Sequence, residues 1–204
     1  MNRFNKRMIG NNCLIFFMCS LLASCAIQPQ STKTTTVQET DGKSSTIFDP
    51  GNTKRNELIK SGVPDASIAL LKKREGFEQA VYRGLNGYLT AGYGHILVEE
   101  EKENYKEGTI VPQKIIDEWL DDDAKTSWKA AVEQAFKLGD KRLAAPLFAV
   151  NFQLGIYWSR KHPKTMAMLQ IGDWPGTIEE IMTSKWCKQT MLRCKDFEKA
   201  LLAL

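Results

Sequence analysis

Glu75 is the residue of this chain best placed by type and setting to do chemistry. It follows Lys72-Lys73-Arg74, stands directly before Gly76, and is followed fifteen residues later by Thr90 and then by His95. A carboxylic acid at a helix end, facing a cleft floored by a hairpin, suits general-acid catalysis. Partial burial disfavours its charged form, raises its pKa and keeps a proton for a leaving oxygen. One glutamate and one threonine at this spacing make no motif. Taken alone, Glu75 reads first as a surface residue at a helix end.

The elements around it can be read from pattern. Asp65 follows Val63-Pro64 as a helix N-cap, Ile68 and Leu71 (with Leu70 beside them) form the inward stripe, and Gly76 stops the helix. The segment from Ala80 to His95 is rich in glycine and aromatics, and its β-favouring runs flank Asn86-Gly87, a tight-turn signal for a hairpin. Glu99 to Glu107 is acidic and reads as a solvated loop or surface helix. From Pro112, the residues Ile115, Ile116, Trp119, Leu120, Ala124, Trp128, Ala131 and Val132 recur at three- and four-residue steps and predict a long amphipathic helix. Leu143 to Leu154 is apolar nearly all round, as a buried central helix must be. Shorter helices are expected around Met166–Gln170, Ile178–Met182 and Phe197–Leu201. The outline is a mostly helical α+β fold with two lobes: a small β-hairpin lobe, a long connecting helix and a helical C-terminal lobe. A cleft between two such lobes is a common place for a site.

Lys73-Arg74-Glu75-Gly76-Phe77, Tyr82, and Gly87-Tyr88-Leu89-Thr90-Ala91-Gly92-Tyr93-Gly94-His95 together resemble the N-terminal signature of the phage-type lysozymes, glycoside hydrolase family twenty-four. The second half agrees in register, through Phe152-Gln153-Leu154-Gly155, Met168-Leu169-Gln170, Trp174, Ser184-Lys185-Trp186, Gln189-Thr190 and Arg193. The resemblance covers roughly residues 64–204. It implies a lysozyme-like two-lobe fold and a muramidase that cuts peptidoglycan between N-acetylmuramic acid and N-acetylglucosamine. By position, Glu75 is similar to the family's general acid and Thr90 to the threonine that helps place the attacking water. His95 matches a mainly structural histidine, and Arg193 an arginine that pairs with the catalytic glutamate. Phe152, Gln153 and Trp174 fall where the family lines or supports the sugar cleft; simple core packing is an equal reading of Trp174.

One position departs from that pattern. The family places an Asp or Cys nine residues after the glutamate, and Gly84 stands there; no carboxylate occurs from Gln79 to Val98. Inverting glycosidases use a second carboxylate, about 6.5–9.5 Å from the acid, as base for a water across the sugar ring. Losing such assistance costs about 10²–10⁴ in rate. Three readings therefore stand side by side. The first is a muramidase with Glu75 as acid and Thr90 handling the water. The second is a single-glutamate lytic transglycosylase, in which the sugar's own hydroxyl attacks. The third is a catalytically impaired module that binds peptidoglycan or an envelope partner.

The chain's 204 residues, 43% hydrophobic and 25% charged, suit one globular domain with appendages. Its formal charge of +4 is largely local, because Arg3, Lys6 and Arg7 stand in a start that has no acidic residue. The balance left beyond them argues against nucleic acid or long-range attraction to an anionic wall. The apolar run from Cys13 to Met18 is too short to span a bilayer and ends in small residues, as a secretory signal does. Leu22-Ala23-Ser24-Cys25 resembles a bacterial lipobox, whose cleavage after residue 24 leaves Cys25 as a lipidated N-terminus. Ordinary cleavage near Ala23 or Ala26 is the other reading. Ala26, in place of Asp, points to the outer membrane facing the periplasm. The segments expected are thus a signal over 1–24, an anchor and flexible polar linker over 25–62, and the lysozyme-like domain over 63–204.

Cys13 and Cys19 leave with the signal and Cys25 takes lipid, so Cys187 and Cys194 remain. An even pair in an oxidising compartment is a disulfide candidate, with two separate buried thiols as the other reading. His95 and His162 are the only histidines and no cysteine pair has ligand spacing, so no metal or other cofactor is implied. The expected partners are peptidoglycan glycan strands, the membrane through its anchor, and an envelope machine whose passage needs local wall remodelling.

Overall fold

The computed structural model describes residues 50–84 and 87–204. The signal, Cys25, the tether up to residue 49, and Leu85 and Asn86 of the hairpin turn lie outside the described residues.

Helix α1 (Pro50–Lys60) precedes α2 (Asp65–Glu75), which ends at Gly76 with φ of 75°. A positive φ costs glycine little, so the chain turns there at the residue after Glu75. Three antiparallel strands follow in the order β1 (Glu78–Arg83), β2 (Leu89–Gly92) and β3 (His95–Ile96). The acidic run forms α3 (Glu99–Asn104), and α4 (Gln113–Lys137) is the long helix. The rest is helical: α5 (Ala144–Leu154), α6 (Pro163–Gln170), α7 (Trp174–Thr183), α8 (Lys185–Gln189) and α9 (Met191–Leu202). This is a mostly helical α+β architecture with one small sheet.

Two apolar cores explain why α4 is so long. Its first turns bury Ile116 and Trp119 with Val81, Ala91, Leu97 and Val111 beneath the sheet. Its later turns bury Leu120, Ala124, Trp128, Ala131, Val132 and Ala135 in the helical core, around Leu147, Phe148 and Val150 of α5. Steps of three and four residues keep one stripe inward across both cores. Gly92 marks the closest approach of sheet and helix: its φ is 63°, and a Cβ there would fall 2.7 Å from Cγ2 of Ile116. Glycine is thus required on two counts.

The structure corrects several expectations. The domain does not begin at residue 63. Within the stretch expected to be linker over 25–62, α1 packs Leu58 and Ile59 against the helical core, and the Trp128 indole donates to the Leu58 carbonyl at 3.1 Å. Two apolar residues in a polar run carry no visible period; docking on α4 creates the helix. Asp65 is the first residue of α2 and not its cap: the capping position is Pro64, which makes no side-chain cap bond. Leu70 remains 37% exposed. The hairpin gains a third strand, because His95–Ile96 turns back along β2. The short α8 between α7 and α9 has no counterpart in the periodicity, being capped by Ser184, whose hydroxyl accepts from Cys187 N–H.

Candidate active site

Glu75 lies where α2 gives way to the sheet. Its side chain and that of Arg193 are each only 8% exposed, and Glu75 Oε1 contacts Arg193 Nη2 as an ion pair. Neither contacting atom has another hydrogen-bond partner among the described residues. Burial pushes the Glu75 pKa up, and the opposing pull of Arg193 does not cancel it. Burial likewise lowers the Arg193 pKa against the attraction of Glu75. The site therefore shifts the carboxyl toward its protonated form, the direction that general-acid catalysis uses. The C-terminal position on α2 acts in the same sense, since that end of a helix disfavours anions.

Thr90 is buried in β2 and pairs with Tyr82 of β1. Directly opposed residues of an antiparallel pair project from the same face of the sheet. The Thr90 hydroxyl donates to the Tyr88 carbonyl at 3.2 Å, leaving the oxygen's lone pairs to accept from a water. Tyr82 is half-buried; burial, then Glu78, then Glu75 push its phenol pKa up. Tyr82 thus sits within electrostatic reach of Glu75 and directly across from Thr90. Sequence reasoning passed over it as one letter of a signature. The signal was there, since strand alternation puts residues 82 and 84 on one face.

Gly84 holds the base of the hairpin turn by backbone alone: its N–H donates to the Tyr88 carbonyl and its carbonyl accepts from Gly87 N–H, both at 2.9 Å. Beside the turn, Arg83 pairs with Glu107 at 3.2 Å, and its guanidinium also donates to the Gly87 carbonyl.

The remaining candidates are packing and support. Gln153 is buried and accepts the Trp186 indole N–H at 2.9 Å; both line a small gap that also touches Arg193 and Asp196. The Phe152 ring packs tilted against Phe148, with centroids 6.2 Å apart, and Trp174 packs half-buried on the helical core from the start of α7. The sulfurs of Cys187 and Cys194 are 2.01 Å apart, so the bridge ties α8 to α9 at the residue after Arg193. Among the described residues no group of three or more histidine, cysteine or carboxylate side chains is placed to hold a metal ion.

His95 spends both ring nitrogens on carboxylates, Nδ1 on Asp123 at 2.8 Å and Nε2 on Glu101 at 2.9 Å, and stacks on Trp119 at 4.5 Å. Burial lowers its pKa, but Asp123 and then Glu101 outweigh that, and the net direction is up. A raised folded pKa contributes stability that is complete below the unfolded value of 6.5 and fades as pH rises through the folded one. His95→Asn is therefore expected to cost about 1.5–3 kcal/mol at pH 5, the usual worth of charged hydrogen bonds. That deficit should shrink as pH rises past 7. Urea midpoints at pH 5, 7 and 9 check this, and a deficit constant across pH would refute it.

Comparison with protein-family models matches residues 72–197 to phage lysozyme, more than half of the chain. The chain belongs to the phage lysozyme family. The match spans Glu75, Thr90 and Arg193, and begins after α1. Comparison with curated proteins finds no match. Family membership places the chain with the lysozyme-like glycoside hydrolases that act on cell-wall peptidoglycan.

Proposed function

We propose that this member of the family is a muramidase that cleaves the bond between N-acetylmuramic acid and N-acetylglucosamine, with Glu75 as its general acid. The observation that supports this most is the burial of Glu75, which favours the protonated carboxyl even with Arg193 in contact. Glu75 gives its proton to the leaving glycosidic oxygen. A water held by Thr90 adds to the anomeric carbon and releases its proton to solvent.

Gly84 supports a second reading, because position 84 offers no base for that water. In a lytic transglycosylase the ionised Glu75 would take the proton of the sugar's own hydroxyl as that oxygen closes onto the anomeric carbon, giving an anhydro product. Turbidity loss of purified peptidoglycan treated with the full-length chain, followed by analysis of the new sugar ends, tests both. Reducing ends support hydrolysis and anhydro ends the second reading. No clearing at all would leave a module that binds the wall without cutting it.

The lipobox-like Leu22-Ala23-Ser24-Cys25 supports anchoring through Cys25 to the outer membrane, where a tether confines the enzyme to local wall remodelling beside an envelope machine. Cys25→Ser should abolish incorporation of labelled palmitate and release the protein from membranes. Labelling that persists in this variant would rule the anchor out.

A further inference from the structure

The last two residues of α2 are both held by α9, in pairs of opposite polarity. Glu75 meets Arg193, and Arg74 meets Asp196 through two hydrogen bonds, Nε to Oδ2 at 2.6 Å and Nη2 to Oδ1 at 2.9 Å. Arg193 and Asp196 stand three residues apart on α9, so they occupy neighbouring places on one helix face. Arg74 and Asp196 are partly shielded, with side chains 20% and 23% exposed. A two-toothed guanidinium–carboxylate pair fixes orientation as well as distance, so the end of α2 cannot turn without breaking it.

We propose that Asp196 is a positioning residue for the acid: through Arg74 it fixes the end of α2 so that Glu75 lies against Arg193, and its negative charge offsets the two cations flanking Glu75. This deepens the reading of Glu75 as the acid and rests on it. Arg193 touches Glu75, Arg74 precedes it on the same helix, and Asp196 pairs with Arg74 and acts on Arg193, while Tyr82 of β1 feels both Glu75 and Glu78. Asp196 is the charge in this set that faces both arginines. Arg193 feels the ladder as a unit: Glu75 and Asp196 both favour its charged form, while Arg74 disfavours it.

The electrostatic signs follow directly. In Asp196→Asn the two cations face Glu75 without their offset, which favours the carboxylate and makes the acid give up its proton at lower pH. In Arg74→Gln one cation is gone and Asp196 turns wholly to Arg193, which favours the protonated carboxyl. Two charges several ångströms apart at a partly shielded site shift a titration by roughly half a pH unit or more. The two variants should therefore move the Glu75 midpoint in opposite directions. A purely structural pair would move it in the same direction in both, or not at all.

The test is a carbon-13 titration of glutamate-labelled full-length chain, with Glu75 assigned by its absence in Glu75→Gln, alongside the pH profile of kcat/KM. The expected result is a lower midpoint and an alkaline limb shifted to lower pH in Asp196→Asn, with about threefold less activity at pH 7. Arg74→Gln should give a higher midpoint, and Asp196→Glu should restore the wild-type one. Unchanged midpoints, or shifts of one sign in both variants, would overturn the proposal. Should Asp196→Asn fail to fold, Arg74→Gln and Asp196→Glu still decide it by sign and by rescue. The titration needs no turnover, so a wild-type chain that never clears peptidoglycan would sink the functional reading while the role of Asp196 is still decided.

Discussion

Glu75→Gln is expected to remove about 10²–10⁴ of the rate at which the chain clears peptidoglycan, the range for loss of a positioned general acid. Glutamine keeps the shape of the side chain and an oxygen for Arg193 to donate to, so the ion-pair site is perturbed little in geometry. What it lacks is a transferable proton. The leaving group of a glycan is a sugar alkoxide, which departs poorly unless protonated, and the deficit falls on kcat more than on KM. Glu75→Asp sharpens the test. It keeps the acid but draws the carboxyl back by one methylene from Arg193 and from the scissile oxygen, so a loss intermediate between wild type and Glu75→Gln is expected. Clearing that survives in Glu75→Gln, with the folded state verified by circular dichroism, would move the acid elsewhere.

The second large effect is a gain. Gly84→Asp is expected to raise hydrolysis by about 10²–10⁴, the contribution of a positioned base. Gly84 contributes only backbone to the turn, through its N–H to the Tyr88 carbonyl and its carbonyl to Gly87 N–H. A side chain can therefore be added without removing a bond. Tyr82 and Thr90 are directly opposed, and residue 84 stands two positions beyond Tyr82, so alternation continued past the end of β1 would direct its side chain to their face. A carboxylate there would address the attacking water proposed at Thr90. Reducing-end release by wild type and variant measures the change. A rise with reducing ends in both proteins identifies a hydrolase that works below its capacity. A rise from no detectable activity identifies a binding cleft from which the base was lost. No rise, with anhydro ends in the wild type, fits chemistry that never needed a base at this position.

The same environment links these effects to stability. Glu75 and Arg193 are a buried pair with no other partners at their contacting atoms among the described residues, and desolvation works against both charges. Such a pair stabilises weakly as long as it is intact and costs much when one partner is removed. The bridge between Cys187 and Cys194 and the Arg74–Asp196 pair both bear on the segment that carries Arg193. Both cross-links thus act on the stretch of α9 that faces Glu75.

Much of this protein was legible in its residues. The long helix α4 and the central α5 follow from apolar periodicity, because a stripe at three- and four-residue steps has one stable solution. The break after Glu75 follows from Gly76, and the family follows from residue types at fixed spacing. Tertiary structure decided what depends on partners distant in sequence. Helix α1 exists through docking, since Leu58 and Ile59 alone give no pattern until Trp128, seventy residues on, offers its indole. The fate of Cys187 and Cys194 rested on whether α8 and α9 bring their Cα atoms to bonding range, and these lie 5.5 Å apart. Asp196 was invisible for the same reason. Its role comes from standing one turn beyond Arg193 and opposite Arg74, and the spacing of two residues on one helix says nothing about which charges a different helix will set against them.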